Sequence, residues 1–164
     1  HIIFSQNPSK VVNILSDIQK NELDILGKFK ANKNTAYLHS DESIMPKTKK
    51  IWSSWNIFVP KDEKNHISVT YWMNKLQNIN NKTPLFLSLN PVHLPNEGSI
   101  FKVIDYEHPV FDSKSITALK FLDEIQGLNN TWYCGAWSGN GFHEDGLNSS
   151  LKIANKLGIK ALWD

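Results

Sequence analysis

Apolar residues recur along the chain with two different periods, and the change of period organises it. Ile2-Ile3-Phe4 is a short apolar run followed by Ser5-Gln6-Asn7-Pro8, the signature of a strand, a turn and a helix with Asn7 as N-cap and Pro8 in the first turn. Val11, Val12, Leu15 and Ile18 then follow at helical spacing. A second helical pattern with Leu23, Ile25, Leu26 and Phe29 is interrupted by Gly27. From Thr35 the period shortens to two. The stretches 35–39, 51–60, 67–73, 85–90 and 100–106 are rich in β-branched and aromatic residues and bounded by turn formers, so they predict strands. Between 51 and 59 both parities carry large apolar groups, Trp52 and Phe58 on one and Trp55, Ile57 and Val59 on the other. This predicts a strand covered on both faces or lining a cavity. Residues 61–65 read as a polar hairpin connection. Beyond Phe111-Asp112 the helical period returns, with Asp112 as N-cap, Ile116, Leu119, Leu122 and Ile125 on one face, and Gly127 closing the helix. A short strand over 131–134, a glycine-rich loop and a last helix carrying Leu147, Leu151, Ala154 and Leu157 complete the pattern.

Composition narrows the class. The chain has 164 residues, 40% hydrophobic and 21% charged, which suits one medium folded unit rather than a disordered segment. No stretch approaches the roughly 20 apolar residues of a spanning helix, and the first residues lack a basic leader, so a cytoplasmic location is expected. All 18 basic residues are lysine. Without the bidentate guanidinium fork, sequence-specific nucleic-acid recognition is not expected. The one basic knot, Lys47-Thr48-Lys49-Lys50, reads as a solvated loop. The single cysteine, Cys134, excludes an internal disulfide and reads as a buried free thiol.

The candidate chemistry lies in the last third. Four of the eight glycines fall between Gly135 and Gly146, in a strand–loop–helix setting. Glycines there admit positive φ and close approach of a ligand, and a helix N-terminus favours an anion or an electron-rich ring edge. The spacing matches neither a Walker loop nor GxGxxG. His143-Glu144-Asp145 contains metal-ligand types, but three consecutive residues rarely converge on one ion, and no metal site is assigned. His39-Ser40-Asp41 and Tyr106-Glu107-His108 offer imidazole–carboxylate pairs for proton transfer, with hydrogen-bonded turns as the competing reading. Trp52 and Trp55 are either a pocket wall or sheet packing.

These segments also resemble a known family. WYCGAWSGNGFHEDGLNSSLKIANKLG is similar to the C-terminal flavin-contacting segment of FAD-dependent amine-oxidase-like oxidoreductases, the predicted NAD/FAD-binding proteins. TAYLHSDESIMPKTKKIWSSWN, VTYWMNKLQNI, YEHPVFD with IQG, and HIIFSQNPSKVVNIL resemble further segments of that family in the same order, covering nearly the whole chain. The resemblance implies an α/β (α+β) chain, the C-terminal part of a two-domain flavoprotein. Residues 1–15 and 106–164 would belong to an FAD domain and 16–105 to an antiparallel substrate-domain sheet. It implies FAD as cofactor, held by Gly135, Ala136, Glu144, Asp145, Gly146 and Leu147, with Asp145–Leu147 offering free N–H groups to the flavin edge. The acidic residue common after that first glycine is here Ala136. His39 and Trp55 are the catalytic candidates, expected near one end of the sheet and facing a common cavity. The implied reaction is hydride transfer from an amine or a lipid-like substrate to flavin. The implied partner is the nucleotide-binding βαβ unit, missing from this chain, and the apolar faces left exposed without it are expected to be covered by copies of the chain itself. The rival reading is a non-catalytic nucleotide-binding or interaction module on the same fold.

Overall fold

The structure, a computed structural model, describes residues 1–61, 66–161 and 163. The connection expected over 61–65 therefore lies, beyond Lys61, outside the described residues. The fold is mixed, with one parallel and one antiparallel sheet. In order the elements are β1 (Ile2–Phe4), α1 (Pro8–Ile14), α2 (Lys20–Leu26), β2 (Lys30–His39), β3 (Trp55–Phe58), β4 (Ser68–Trp72), α3 (Met73–Leu76), β5 (Phe86–Leu89), β6 (Ile100–Val110), α4 (Ser113–Leu119), α5 (Leu122–Ile125), β7 (Thr131–Tyr133) and α6 (His143–Lys156). None of the described helices is long and apolar enough to cross a membrane. The chain divides into two compact units, residues 1–32 with 108–164, and residues 33–107.

The first unit is built on two parallel strands. β1 pairs with β7 in the register Ile2 to Thr131 and Phe4 to Tyr133. The side chains of β7 alternate between two apolar layers. Tyr133 joins Val11, Ile25, Leu26, Phe29, Ala118, Ile125 and Trp137 on one side, while Trp132 and Cys134 pack with Ile153 of α6 on the other. Covering a parallel strand on both faces is what makes a three-residue run of Thr-Trp-Tyr entirely buried. Helix starts follow the expected chemistry. Asn7 Oδ1 accepts the Ser9 N–H, and Asp112 and Ser115 exchange side-chain-to-backbone bonds in a capping box.

Two expectations are corrected in this unit. The resemblance places 16–32 in the sheet domain, but Ile25, Leu26 and Phe29 are buried in the core around Tyr133, so α2 belongs with β1 and β7. The single helix expected from Asp112 to Gly127 is broken at Lys120–Phe121 into α4 and α5. The chain then turns at Gly127, whose φ of 87° places it in the left-handed region.

The second unit is a five-stranded sheet in the order β3-β4-β5-β2-β6. β3, β4, β5 and β2 are mutually antiparallel, and their registers align Trp55, Tyr71, Leu87 and Leu38 in one row. The next row aligns Trp72, Phe86 and His39. Adjacent rows face opposite sides of a sheet. One face is closed by Met45, Trp52, Phe86 and Trp72, with the Trp52 indole N–H donating to the Pro46 carbonyl at 2.7 Å. β3 is shorter than the predicted 51–60, because Lys49–Ile51 forms a 3-10 turn. It is an edge strand and not the covered strand its pattern suggested: Trp55 is 59% and Ile57 67% exposed.

Candidate functional site

The end of β7 and the start of α6 are brought together by the glycine loop. Gly135 has φ 134°, and a Cβ there would lie 2.8 Å from the Trp137 indole and 3.1 Å from the Ser5 carbonyl oxygen, so only glycine fits. A 3-10 turn over Ala136–Ser138 follows and sends Trp137 into the core, where its N–H donates to the Cys134 carbonyl at 2.9 Å. The chain then returns so that Gly146 of α6 lies against Ala136, a Cβ at Gly146 reaching ordinary contact with the Ala136 nitrogen at 3.4 Å. The Gly135 N–H donates to Ser149 Oγ, which ties the loop to the second turn of the same helix. Gly135 and Ala136 therefore lie beside Gly146, as neighbouring parts of one surface.

The helix begins earlier than the placement of Leu147 implied, and this changes which groups are available. Gly146 N–H already bonds the Phe142 carbonyl at 3.3 Å. The expectation of free amides over 145–147 is thus overturned for Gly146. The first-turn N–H groups belong to His143, Glu144 and Asp145, and among the described residues none of the three is bonded to an acceptor. The Asp145 carboxylate is not free for a ligand either: its Oδ2 accepts the N–H groups of Asn140 and Phe142 at 3.0 and 2.9 Å. Glu144 and Leu147 are exposed, and Glu144 Oε1 meets Asn148 Nδ2 at 3.5 Å. Among the described residues no group of three or more His, Cys, Asp or Glu side chains is arranged to hold a metal ion.

The two catalytic candidates do not share a cavity. His39 and Trp55 stand in adjacent rows and so on opposite faces of the sheet. Trp55 lies on the open face, edge-on to Tyr71 with ring centroids 5.1 Å apart. His39 is fully buried. Its Nδ1 accepts the Asp41 N–H at 3.1 Å, which leaves the proton on Nε2, facing Ser88 Oγ at 2.9 Å. Ser88 in turn meets Thr70 Oγ1 at 2.7 Å. In this tautomer Nε2 donates and cannot take a proton from Ser88, so the trio is not an activated nucleophile. Burial lowers the His39 pKa below its ordinary value, opposed by the Asp41 charge. Burial pushes the Asp41 carboxyl up, but N–H bonds from Asn96 and Ser43, with the nearby imidazole, outweigh it and hold it below the usual carboxylate range. The bond from Ser43 is the Asx turn anticipated at this position.

Pattern reading missed three polar features. Glu22, almost fully buried, receives the Tyr133 hydroxyl at 2.6 Å across 111 residues of sequence. Gln126 binds the backbone of β7 on its outer edge, its Oε1 accepting the Tyr133 N–H at 2.9 Å and its Nε2 donating to the Tyr133 carbonyl at 2.7 Å. The Ser88–Thr70 pair supports His39. For the last a signal existed: Thr70 and Ser88 fall at the inward parity of their strands.

Two other concavities occur in the first unit. A groove of about 610 Å³ is lined by Asp24 of α2 and Lys114 of α4, with Lys28 and Phe121 just beyond the ends of these helices. A smaller one, of about 90 Å³, is lined by Gln126, Tyr133, Ser149 and Lys152 among others. The first-turn donors of α6 line neither. No family model matches the chain, and no curated protein matches it closely enough to be called a relative.

Proposed function

We propose that this chain supplies the flavin-edge part and a substrate-side sheet of an FAD-dependent oxidoreductase of the amine-oxidase or desaturase type, completed by a nucleotide-binding βαβ unit, and that these residues alone do not turn substrate over. The observation that carries this reading is the meeting of Gly135–Ala136 at the end of a parallel strand with the start of α6, whose first-turn N–H groups are without acceptors. When bound, FAD supplies the hydride acceptor. His143, Glu144 and Asp145 would present their backbone N–H groups to its electron-rich edge, and the positive end of α6 stabilises negative charge there. Gly135 and Ala136 would border the same group through backbone alone. Ala136 supplies no carboxylate, and that of Asp145 is engaged in capping, so no acidic contact to a ribityl chain comes from either.

The strand edges agree with this. The outer edge of β7 is sealed by Gln126, and the Thr131 carbonyl accepts the Gly127 N–H at 2.8 Å. β1 is open on its other edge among the described residues, with Ile2 57% and Ile3 52% exposed. β7 is buried on both faces while β1 beside it is exposed on both, so an added strand of a βαβ unit, with its helix, would continue the sheet at β1 and cover it. In the second unit, the open face carrying Trp55, Ile57, Val69, Tyr71, Leu87 and Leu89 suits a lipid-like substrate better than a small polar amine.

The second reading, a module that binds a nucleotide or a protein without chemistry, is favoured by one observation. In its paired rows that open face offers no ionisable side chain but the Tyr71 phenol, since His39 lies behind the sheet. An absorption spectrum of the chain co-expressed with a nucleotide-binding βαβ unit separates the two. A bound flavin bleached anaerobically by an amine or a fatty-acyl compound is the expected result. A flavin that no substrate bleaches supports the module, and a colourless protein after loading with FAD refutes the flavoprotein reading.

A further inference from the structure

His39 is the one imidazole in the second unit that is wholly enclosed, and both its nitrogens are committed. Nδ1 holds the Asp41 N–H, and Nε2–H points at Ser88. On one side β5 and β4 present Thr70, Trp72, Phe86 and Ser88 to the ring, none of them charged, and β6, the other neighbour of β2 in the sheet, carries its charged residues Lys102, Asp105 and Glu107 at exposed positions. Asp41, two residues along its own segment, is the ionisable group whose charge reaches it. Asp41 is also a clasp. Its N–H is held by His39, its Oδ1 accepts the Ser43 N–H at 2.8 Å, and its Oδ2 accepts the Asn96 N–H at 2.9 Å, joining the turn after β2 to the loop before β6. Nearby the Ser40 N–H donates to the Ser99 carbonyl.

We propose that His39 is an acid-sensitive latch: in its neutral form it holds the Asp41 clasp closed, and its protonation releases the segments 41–45 and 91–99 while the strands stay paired. A proton on Nδ1 would face the Asp41 N–H, donor against donor, and the cation would lie in a site with no buried anion on the flanking strands. The ring and the Asp41 peptide cannot both keep their positions, so the bond that positions the clasp is lost. Burial then sets the direction of the pH dependence. The folded form takes up its proton at lower pH than the ordinary value of 6.5, so the latch is closed above that value and opens progressively below it. This device does not depend on the flavin reading, because it involves only residues of the second unit.

The test is histidine-selective ¹⁵N NMR on the intact chain, with amide hydrogen exchange at pH 7 and pH 5. At pH 7 the Nε2–H tautomer is expected at His39, with a titration midpoint below 6.5. Crossing that midpoint, protection factors at Asp41, Ser43 and Asn96 are expected to fall at least about tenfold. Those of the β4–β5 ladder and of Cys134 in the first unit should change less than about threefold. His39→Gln, which does not titrate, should abolish the difference. Should that variant not fold, the wild-type measurements decide alone. An Nδ1–H tautomer, a midpoint at or above 6.5, clasp amides that keep their protection through the titration, or a uniform loss across both units would each overturn the latch.

Discussion

The Glu22–Tyr133 bond gives a sharp test of how the first unit holds together. Glu22 is on α2 and Tyr133 on β7, and the carboxylate has two duties: Oε1 receives the Tyr133 hydroxyl at 2.6 Å and Oε2 receives the Gln19 N–H at 2.9 Å. Tyr133→Phe keeps the ring, and with it the stacked contact on Phe4 at 6.1 Å, while removing one donor. A hydrogen bond to a charged group is worth about 1.5–3 kcal/mol. Leaving Oε1 buried without a donor, while Oε2 keeps the Gln19 N–H, puts the cost toward the upper end of that range, about 3 kcal/mol. Glu22→Gln loses differently: one carbonyl oxygen cannot serve both donors, so its amide NH2 must face either Tyr133 or the Gln19 N–H. Urea unfolding of wild type, both single variants and the double variant, followed by circular dichroism and tryptophan fluorescence together, closes a double-mutant cycle. A coupling energy of about 1.5–3 kcal/mol is expected. A pH arm follows from the same bond. Burial first, then the Glu22 bond and charge, raise the Tyr133 hydroxyl pKa well above its ordinary value of 10.0. The folded state therefore keeps a proton that the unfolded chain releases, so this stability is complete below pH 10 and is lost as pH climbs above it. Wild type should weaken there, and Tyr133→Phe should lack that component. A coupling below about 0.5 kcal/mol, or identical alkaline profiles, would refute the assignment.

Other perturbations probe the glycine loop and the isolated chain. Gly135→Ala must carry a strained φ and displace Trp137 or the Ser5 carbonyl, so unfolding midpoints should drop by the equivalent of about 1–3 kcal/mol or more. Asp145→Ala removes the acceptor for Asn140 and Phe142 and should cost about 0.5–2 kcal/mol, read by the same denaturation. Isothermal titration of FAD into the chain alone should show no micromolar binding. Each absent charge-assisted pyrophosphate contact forgoes about 1.5–3 kcal/mol, and every 1.4 kcal/mol is about tenfold in affinity. Light scattering should find assemblies larger than a monomer, since Ile2, Ile3, Trp55 and Ile57 are exposed.

Local chemistry was legible where it is decided locally. Asn7-Pro8, the Asp112 cap and the Asp41 turn are short-range hydrogen-bond motifs, and each stands where the pattern put it. Each expected central strand exists, but β2 begins at Lys30 rather than Thr35 and β6 runs to Val110 rather than Tyr106, and one residue near β3 serves a different master. Trp52 was counted into a strand, but its indole is held by Pro46 and its ring packs on Trp72 and Phe86, so the chain around it turns instead. The parity of 51–59 misled for a physical reason. An apolar residue on both parities signals burial on both faces only for a central strand, and nothing local reveals that a strand lies at an edge. α2 was misassigned because an amphipathic helix does not name its partner: Ile25 and Leu26 need an apolar surface, and which sheet supplies it is a long-range fact.

The candidate site was legible in part, and the division follows the same line. Backbone requirements are written in the sequence as glycines, which is why Gly135, Ala136 and Gly146 were singled out together and lie together. Side-chain roles are not. Asp145 carries the right chemistry for a ligand but spends it on two loop amides, and His39 carries the right chemistry for a base but is enclosed as a structural imidazole. The edges of the parallel pair show the principle in its simplest form. Gln126 closes β7 with the two bonds a neighbouring strand would have made to Tyr133, so that edge needs no partner. Among the described residues β1 has no such partner on its other edge, and its Ile2 and Ile3 are exposed. A half-buried glutamine finishing one edge while the other is left apolar is the asymmetry on which the proposed strand addition at β1 rests. Ile2 and Ile3, exposed on the two faces of β1, mark where the proposed βαβ unit would bring covering helices with its strand, which a lone hairpin would not.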